Sequence, residues 1–160
     1  MEEAYRRYFP MIVQKSRRML RDASEAQDLA QETFLRLWKG RVDLRDAVAT
    51  TAWLYKTCTR LALDRLRSPA RRADGSEALT GLACPRPTAE DRSHHRRLLG
   101  ELLDALPAED AEAAVLSRVD GLNHQEIGEV LGISERTVRR VLSRVDARIA
   151  GWRSRREVVA

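Results

Sequence analysis

Arginine side chains gathered on one predicted helix give this chain its clearest chemistry. Between Glu135 and Gly151, the face opposite the apolar residues carries four arginines and a serine: Arg136, Arg139, Arg140, Ser143 and Arg144. A guanidinium group donates hydrogen bonds in a planar fork that fits phosphate oxygens and the acceptor edge of guanine. This composition is typical of a helix that lies in the major groove of DNA. A solvated, arginine-rich surface helix is the alternative.

A pair of short amphipathic helices joined by a tight turn must position these arginines. Asn123 and Glu126 are predicted to form a capping box at the start of the first helix, and Gly132 is predicted to end it. Ser134 is predicted to cap the second helix. The buried stripe of that helix has helical spacing and consists of Val138, Val141, Leu142, Val145 and Ile149. Residues 121–151 therefore predict a helix-turn-helix motif.

A second candidate site lies on a predicted helix between Asp22 and Gly40. Ser24 and Gln27 are predicted to form its capping box. Its predicted core stripe consists of Ala26, Leu29, Ala30, Thr33, Phe34, Leu37 and Trp38. The opposite face presents two acids, an amide and a leucine: Asp28, Gln31, Glu32 and Leu35. An apolar anchor within a polar rim is typical of a protein-binding patch, and a plain surface with one stray leucine is the alternative.

The third candidate site is a basic helix over residues 51–72. Leu54, Cys58 and Leu61 are predicted to face a core, with Trp53 and Leu66 beside them. The more exposed side carries Lys56, Arg60, Arg67 and Arg71. A basic helix beside aromatic rings can follow a phosphate backbone and stack on unpaired bases. Because large aromatic residues in the middle of a helix are usually buried, the pattern favours a core position for Trp53.

The composition favours an all-helical protein with a polyanionic partner. The 160 residues are 43% hydrophobic, which is enough to bury a core, and no convincing period-2 strand pattern occurs. The formal net charge is +5, and it is unevenly distributed. Residues 98–131 contain eight acids and one arginine, whereas residues 132–160 contain eight arginines. The basic segment is expected to face nucleic acid, and the acidic segment is expected to be its scaffold.

Several functional classes are not expected. No apolar run approaches the roughly 18 residues of a membrane span and no signal peptide is recognisable, which predicts a cytoplasmic protein. Cys58 and Cys84 are far apart in sequence, so neither a disulfide framework nor a zinc site is expected. Residues 90–95 hold the only acid–base or metal-binding cluster, with no nucleophile or glycine-rich phosphate loop nearby. We therefore expect no enzymatic activity, no cofactor and no metal site.

The residues between these motifs predict two domains. Residues 68–93 contain three prolines and two glycines, and they break the helical periodicity on either side. This composition predicts a flexible linker between a first helical domain at 1–67 and a second at 94–160.

The motifs, taken in this order and spacing, resemble the RNA polymerase sigma factors of the extracytoplasmic-function (ECF) type. The matching stretches are YRRYFPMI at 5–12, DLAQETFLRLW at 28–38, AWLYKTCTRLALDRLR at 52–67, LLDALPAEDAEAAVL at 102–116 and GLNHQEIGEVLGISERTVRRVLSR at 121–144. The resemblance implies an all-α chain, with sigma region 2 at 1–67 and sigma region 4 at 94–160.

The resemblance also implies partners. They are bacterial core RNA polymerase, promoter DNA and an anti-sigma protein that holds the factor inactive until a signal arrives. The face formed by Asp28, Gln31, Glu32 and Leu35 looks like the family's docking site for the clamp helices of the polymerase beta-prime subunit. Region 4 is expected to dock on the polymerase beta flap.

Two DNA-reading surfaces follow from the same resemblance. The helix from Trp53 to Arg67, with the loop of residues 41–51 before it, resembles the part that opens and reads the promoter -10 element. Its implied DNA-binding residues are Lys56, Arg60, Asp64, Arg67 and Arg71. The helix from Glu135 to Gly151 resembles the reader of the -35 element. Its implied DNA-binding residues are Ser134, Glu135, Arg136, Thr137, Arg139, Arg140, Ser143 and Arg144.

This chain departs from the family pattern on both DNA-reading helices. Arg60 stands where the family often has an asparagine, and Arg139 and Arg140 stand where a lysine and a serine are usual. Val141 replaces an arginine. These changes bear on the preferred promoter sequence, while fold and polymerase binding are little affected.

Two other functions are compatible with parts of the pattern. One is a sigma-like module that acts mainly as the bound partner of an inhibitor. The other is an ordinary helix-turn-helix regulator, which would explain residues 121–151 and leave the Asp28–Leu35 face without a use.

Overall fold

A computed structural model describes residues 2–40, 42–68 and 89–157. Within these ranges the chain forms seven helices and no strands: α1 Glu2–Leu20, α2 Ala23–Lys39, α3 Ala47–Arg67, α4 Ala89–Asp104, α5 Ala108–Arg118, α6 His124–Leu131 and α7 Glu135–Glu157. The predicted all-α class is confirmed. None of the described helices is both long enough and apolar enough to cross a membrane.

Part of the predicted linker lies outside the described residues. Arg71 and Cys84 are among the linker residues outside the described ranges. Arg41, in the loop before α3, also lies outside them. Helix α4 begins at Ala89, inside the segment predicted as linker, and it ends at Asp104.

Helices α1, α2 and α3 pack around one apolar core. The buried residues that they contribute include Tyr8, Ile12, Met19, Leu20, Leu29, Ala30, Phe34, Leu37, Leu54, Cys58 and Leu61. As predicted, Leu54, Cys58 and Leu61 face this core, and Trp53 and Leu66 are partly buried against it. Trp53 is therefore a packing residue, which is the position that the sequence favoured.

The start of α2 differs from the prediction. Asp22 is the N-cap, with extended backbone angles, and its carboxylate accepts a hydrogen bond of 2.9 Å from the backbone N–H of Glu25. The predicted capping box of Ser24 and Gln27 is therefore wrong, because the helix already begins at Ala23 and Ser24 lies within its first turn. Aspartate and serine both accept a hydrogen bond from a backbone N–H of the first helical turn, so either residue type can cap a helix.

The position of Trp38 is also a correction. Its predicted place in the core stripe is wrong, since its side chain is 68% exposed. The core stripe of α2 ends at Leu37, which is 1% exposed. Adjacent helical residues point about 100° apart, and Lys39 ends the helix directly after Trp38. An indole at that position lies beyond the edge of the core.

Helices α6 and α7 form the predicted helix-turn-helix motif, and α5 packs against both of them. Asn123 accepts a hydrogen bond of 3.0 Å from the Glu126 backbone N–H, and Glu126 accepts one of 2.7 Å from the Asn123 backbone N–H. This capping box confirms the predicted start of α6. Gly132 ends the helix with φ of 73°, a left-handed conformation that favours glycine. Two small buried clusters join the three helices: Leu116, Ile127 and Val138 in one, and Ala113, Val141 and Val145 in the other.

Gly128 holds the turn of this motif close to α6. A Cβ atom at Gly128 would lie 2.7 Å from the carbonyl oxygen of Ile133, whereas one at Gly151, in α7, would meet only an Arg155 nitrogen at 3.7 Å. We expect Gly128→Ala to lower the free energy of unfolding by about 1–3 kcal/mol, the usual cost of overpacking. Gly151→Ala is the matched control and should be neutral or stabilising by up to about 1 kcal/mol. Urea denaturation measures both; equal midpoints for the two variants would contradict the close approach.

The two groups of helices share a core, which the sequence did not predict. Leu103, Leu106 and Ala111 belong to the same buried cluster as the residues of α1, α2 and α3. Lys15 of α1 pairs with Asp120, between α5 and α6, and neither side chain is accessible to solvent. The structure is thus closed, with the C-terminal helices packed on α3.

Candidate nucleic-acid and protein interfaces

The predicted DNA-reading face of α7 is exposed. Arg136, Arg139, Arg140 and Ser143 all point away from the buried stripe that begins with Val138, which is fully buried. The Ser134 hydroxyl accepts a hydrogen bond of 3.2 Å from the backbone N–H of Thr137, which confirms the predicted cap. A helix with a buried stripe and an exposed arginine face can enter a DNA groove without losing its packing.

Arg144 differs from the other arginines of α7. Its guanidinium donates two hydrogen bonds, of 2.9 and 2.5 Å, to the buried carboxylate of Asp110 in α5. The same hydrogen bonding holds the pKa of Asp110 below its usual range. A forked pair of this kind fixes α7 on its scaffold. We therefore assign Arg144 to positioning α7 on α5.

Arg139 is also paired, but at the surface. It binds Glu135 one turn earlier in α7, and this contact lowers the pKa of Glu135. Both side chains are about half-exposed, and an exposed pair contributes little to stability. Arg139 can therefore leave Glu135 when a phosphate or a base edge is within reach.

The predicted protein-binding face of α2 is largely exposed. Asp28 and Gln31 are exposed, and the Leu35 side chain is 51% exposed. Glu32 is half-buried and accepts hydrogen bonds from Arg36 at 2.8 Å and from Arg65 of α3 at 3.0 Å. Glu32 is thus held in place as part of the rim around Leu35.

Trp38 extends this face, which the sequence reasoning missed. It lies three residues after Leu35, a spacing that places both side chains on one side of the helix. Trp38 is also four residues after Phe34, which lies on the core face of α2. The spacing alone was therefore compatible with either the core face or the exposed face. Together Leu35 and Trp38 form an apolar pair at the surface of α2, and tryptophan is one of the residue types enriched among the hot spots of protein interfaces.

The cations predicted on the more exposed side of α3, here called its basic row, donate hydrogen bonds to other parts of the protein. Lys56 donates a hydrogen bond to the backbone carbonyl of Leu131 at 3.3 Å, and Arg60 donates one to Glu112 at 2.6 Å. Arg67 donates to the carbonyls of Leu103 and Leu106 at 3.2 and 3.3 Å. Asp64, the remaining described member of the predicted -10 set, is exposed.

A groove of about 390 Å³ separates the N-terminal half of α3 from α6. Val48, Thr51 and Tyr55 line one side, and Glu126 and Glu129 line the other. The two carboxylates make the α6 side of the groove unfavourable for a phosphate group.

Within the described residues, the fold defines an all-α protein that contains a helix-turn-helix unit. Residues 4–72 match the family model for Sigma-70 region 2, and residues 96–145 match that for Sigma-70, region 4. The chain belongs to the family of ECF-type RNA polymerase sigma factors.

Three relatives of this chain are likewise named as RNA polymerase sigma factors. The chain is 33% identical over 135 residues to RNA polymerase sigma factor CarQ of Myxococcus xanthus, covering 83% of this chain and 77% of that protein. It is 32% identical over 143 residues to ECF RNA polymerase sigma factor SigE of Mycolicibacterium smegmatis, covering 86% of this chain and 55% of that protein. It is also 32% identical over 136 residues to probable RNA polymerase sigma factor RfaY of Xanthomonas campestris, covering 81% of this chain and 34% of that protein. The chain thus spans only about half the length of SigE and about a third of the length of RfaY.

Proposed function

We propose that this protein binds bacterial core RNA polymerase and directs promoter recognition, DNA opening and the initiation of transcription. The observation that carries the proposal is the exposed Leu35 and Trp38 pair on a helix separate from the DNA-reading helix. An ordinary helix-turn-helix regulator has no use for such a surface. The match of one chain to both region 2 and region 4 supports the same function.

Each surface has one role in this proposal. The face of Asp28, Gln31, Glu32 and Leu35, extended by Trp38, docks on the clamp helices of the polymerase beta-prime subunit. Helix α3 reads the opened -10 element through the cations of its basic row, which can follow a single-stranded backbone. Helix α7 reads the -35 element through Arg136, Arg139, Arg140 and Ser143, and its unit docks on the beta flap.

Run-off transcription tests this function. Core polymerase should start at defined sites on genomic DNA when the protein is added, and mapping the transcript ends then gives the promoter sequence. Core polymerase without the protein is the control. A transcript pattern that the protein does not change would reject the proposal.

We also propose that an anti-sigma protein holds the factor inactive in the cytoplasm, where polymerase acts. The apolar pair on α2 supports this, because a surface built to bind polymerase can equally bind an inhibitor. Addition of the inhibitor should then displace core polymerase from the factor in a pull-down. Simultaneous binding of both would contradict a shared surface.

A further inference from the structure

Arg65 of α3 belongs to none of the predicted binding sets. It lies in the last turn of α3, between Asp64 and Leu66, and 28% of its side chain is exposed. Its guanidinium donates two hydrogen bonds to α2, one to the backbone carbonyl of Glu25 and one to the carboxylate of Glu32, each 3.0 Å long. Arg65 therefore joins the end of α3 to the helix that carries the proposed docking face.

The geometry of α2 allows one guanidinium to reach both acceptors. The carbonyl groups of a helix point toward its C-terminal end, whereas its side chains lean toward the N-terminal end. The Glu25 carbonyl and the Glu32 side chain therefore approach each other along the surface of α2, although the two residues are about two turns apart. A guanidinium holds its donors in a rigid plane, so Arg65 can bond to both groups at once.

Glu32 is held at both of its carboxylate oxygens. Arg65 bonds to Oε2, and Arg36, one turn later in α2, bonds to Oε1 at 2.8 Å. The Arg36 contact alone gives weak support, because 54% of that side chain is exposed and an exposed pair along one helix contributes little. Arg65 is less exposed, and its second bond, to the Glu25 carbonyl, limits its motion. The two arginines thus select one orientation of a carboxylate that would otherwise sample several rotamers.

The oriented carboxylate keeps acceptor capacity for a partner protein. An ionised carboxylate has about four lone-pair positions, and the two arginines use one at each oxygen. The Glu32 side chain is 37% exposed, and the exposed Asp28 lies one turn before it on the same face. A cationic donor of a docking protein can therefore meet a carboxylate whose direction is already set. Such preorganisation lowers the entropy cost of binding.

We propose that Arg65 is a positioning residue for polymerase binding: it orients the Glu32 carboxylate toward a cationic donor on the polymerase. The proposal rests on the function proposed above for the α2 face, and it adds a residue of α3 that acts on this face from behind. Because Arg65 acts through Glu32, its effect on polymerase affinity should vanish when the Glu32 carboxylate is absent.

A double-mutant cycle in the full chain of 160 residues tests this role. The variants are Arg65→Gln, Glu32→Ala and the two combined, and the measured quantity is the Kd for core polymerase. Arg97→Gln is the matched control, because Arg97 is an exposed arginine that pairs with Glu101 along α4, outside the docking face. This control removes the same charge and should bind polymerase as wild type does.

We expect Arg65→Gln to raise the Kd about fivefold, since a long side chain must then be ordered when polymerase binds. Glu32→Ala should raise the Kd about tenfold, because it removes the contact itself. The combined variant should have the same Kd as Glu32→Ala alone, since no carboxylate is left to orient. Arg65→Lys should fall between wild type and Arg65→Gln, because an ammonium group can bond to Glu32 but lacks the planar fork.

Independent effects of the two residues would overturn the proposal. If Arg65 only stabilised the fold, the two losses would multiply to about fiftyfold in the combined variant. A wild-type Kd in either single variant would reject the proposal as well. Tighter binding by Arg65→Gln would also reject it, because Arg65 would then compete with polymerase for Glu32. Circular dichroism checks folding, and if Arg65→Gln does not fold, Arg65→Lys takes its place in the cycle.

The Leu35→Arg variant separates this proposal from the function on which it rests. Weaker polymerase binding by Leu35→Arg, together with independent effects in the cycle, removes only the positioning role of Arg65. Normal polymerase binding by both Leu35→Arg and Glu32→Ala removes the docking face itself.

Discussion

Replacing both Arg139 and Arg140 with alanine should weaken binding of the protein to its -35 duplex by about 2 kcal/mol or more, or about thirtyfold in Kd. Both side chains are exposed on α7, opposite the buried Val138. An arginine that reaches a guanine edge contributes about 1–3 kcal/mol of discrimination. The loss of the Arg139–Glu135 pair offsets little of this, because that pair is exposed. Fluorescence anisotropy with the mapped promoter duplex measures the change.

A second pair of arginines on the same helix provides the control. Arg153→Ala with Arg155→Ala removes equal charge from exposed positions near the end of α7, away from its N-terminal half. This variant should lose only non-specific affinity, equally for promoter and mixed-sequence duplexes. If the Arg139 and Arg140 variant behaves in the same way, these arginines contact phosphates alone. Unchanged binding by that variant would reject α7 as the recognition helix.

Local sequence signals predicted the helix-turn-helix well. The capping box of Asn123 and Glu126, the glycine at 132 and the cap at Ser134 are each settled by residues only a few positions apart. The apolar spacing of α7 then fixes which side is buried. The exposed arginine face follows from the same register, so no long-range information was needed for it.

The errors arose where two local solutions compete. Asp22 and Ser24 can both cap a helix, and the actual start at Ala23 selects Asp22. Trp38 has the spacing of the core stripe and of the surface face alike, and only the position at which the core ends decides between them. Such choices depend on where neighbouring helices stop, which the local pattern does not contain.

The contacts between the two domains were beyond sequence reasoning for a different reason. Lys15 and Asp120 are 105 residues apart, and Arg60 and Glu112 are 52 apart. Arg67 and Lys56 bind backbone carbonyls, which every residue possesses, so no side-chain pattern marks the acceptors. The asymmetry of charge between residues 98–131 and the rest of the chain was the available sign. Taken alone, this asymmetry predicts an acidic scaffold within the second domain, whereas in the structure Glu112 and Asp120 pair with cations of the first.

Changing Leu35 to arginine should reduce affinity for core polymerase by about 2 kcal/mol or more, about thirtyfold in Kd, while leaving the fold nearly intact. The side chain is 51% exposed, and the adjacent Phe34 carries the core contact with 7% exposure. An exposed substitution usually shifts stability by less than about 0.5 kcal/mol. The loss of affinity is expected because a cation replaces the apolar anchor next to Trp38. A titration with core polymerase, beside a melting curve, measures both quantities.

Leu99→Arg is the matched control, since Leu99 is another exposed leucine, at 38%, and lies on α4 outside the proposed docking face. It should leave polymerase affinity unchanged, so that a loss confined to Leu35→Arg identifies the α2 face and not a general effect of added charge. Binding of each variant to -35 duplex should equal that of wild type, because α7 is not altered. Normal polymerase affinity in Leu35→Arg would reject the α2 face as the docking surface. A large fall in melting temperature would instead show that Leu35 is needed for packing, which its exposure argues against.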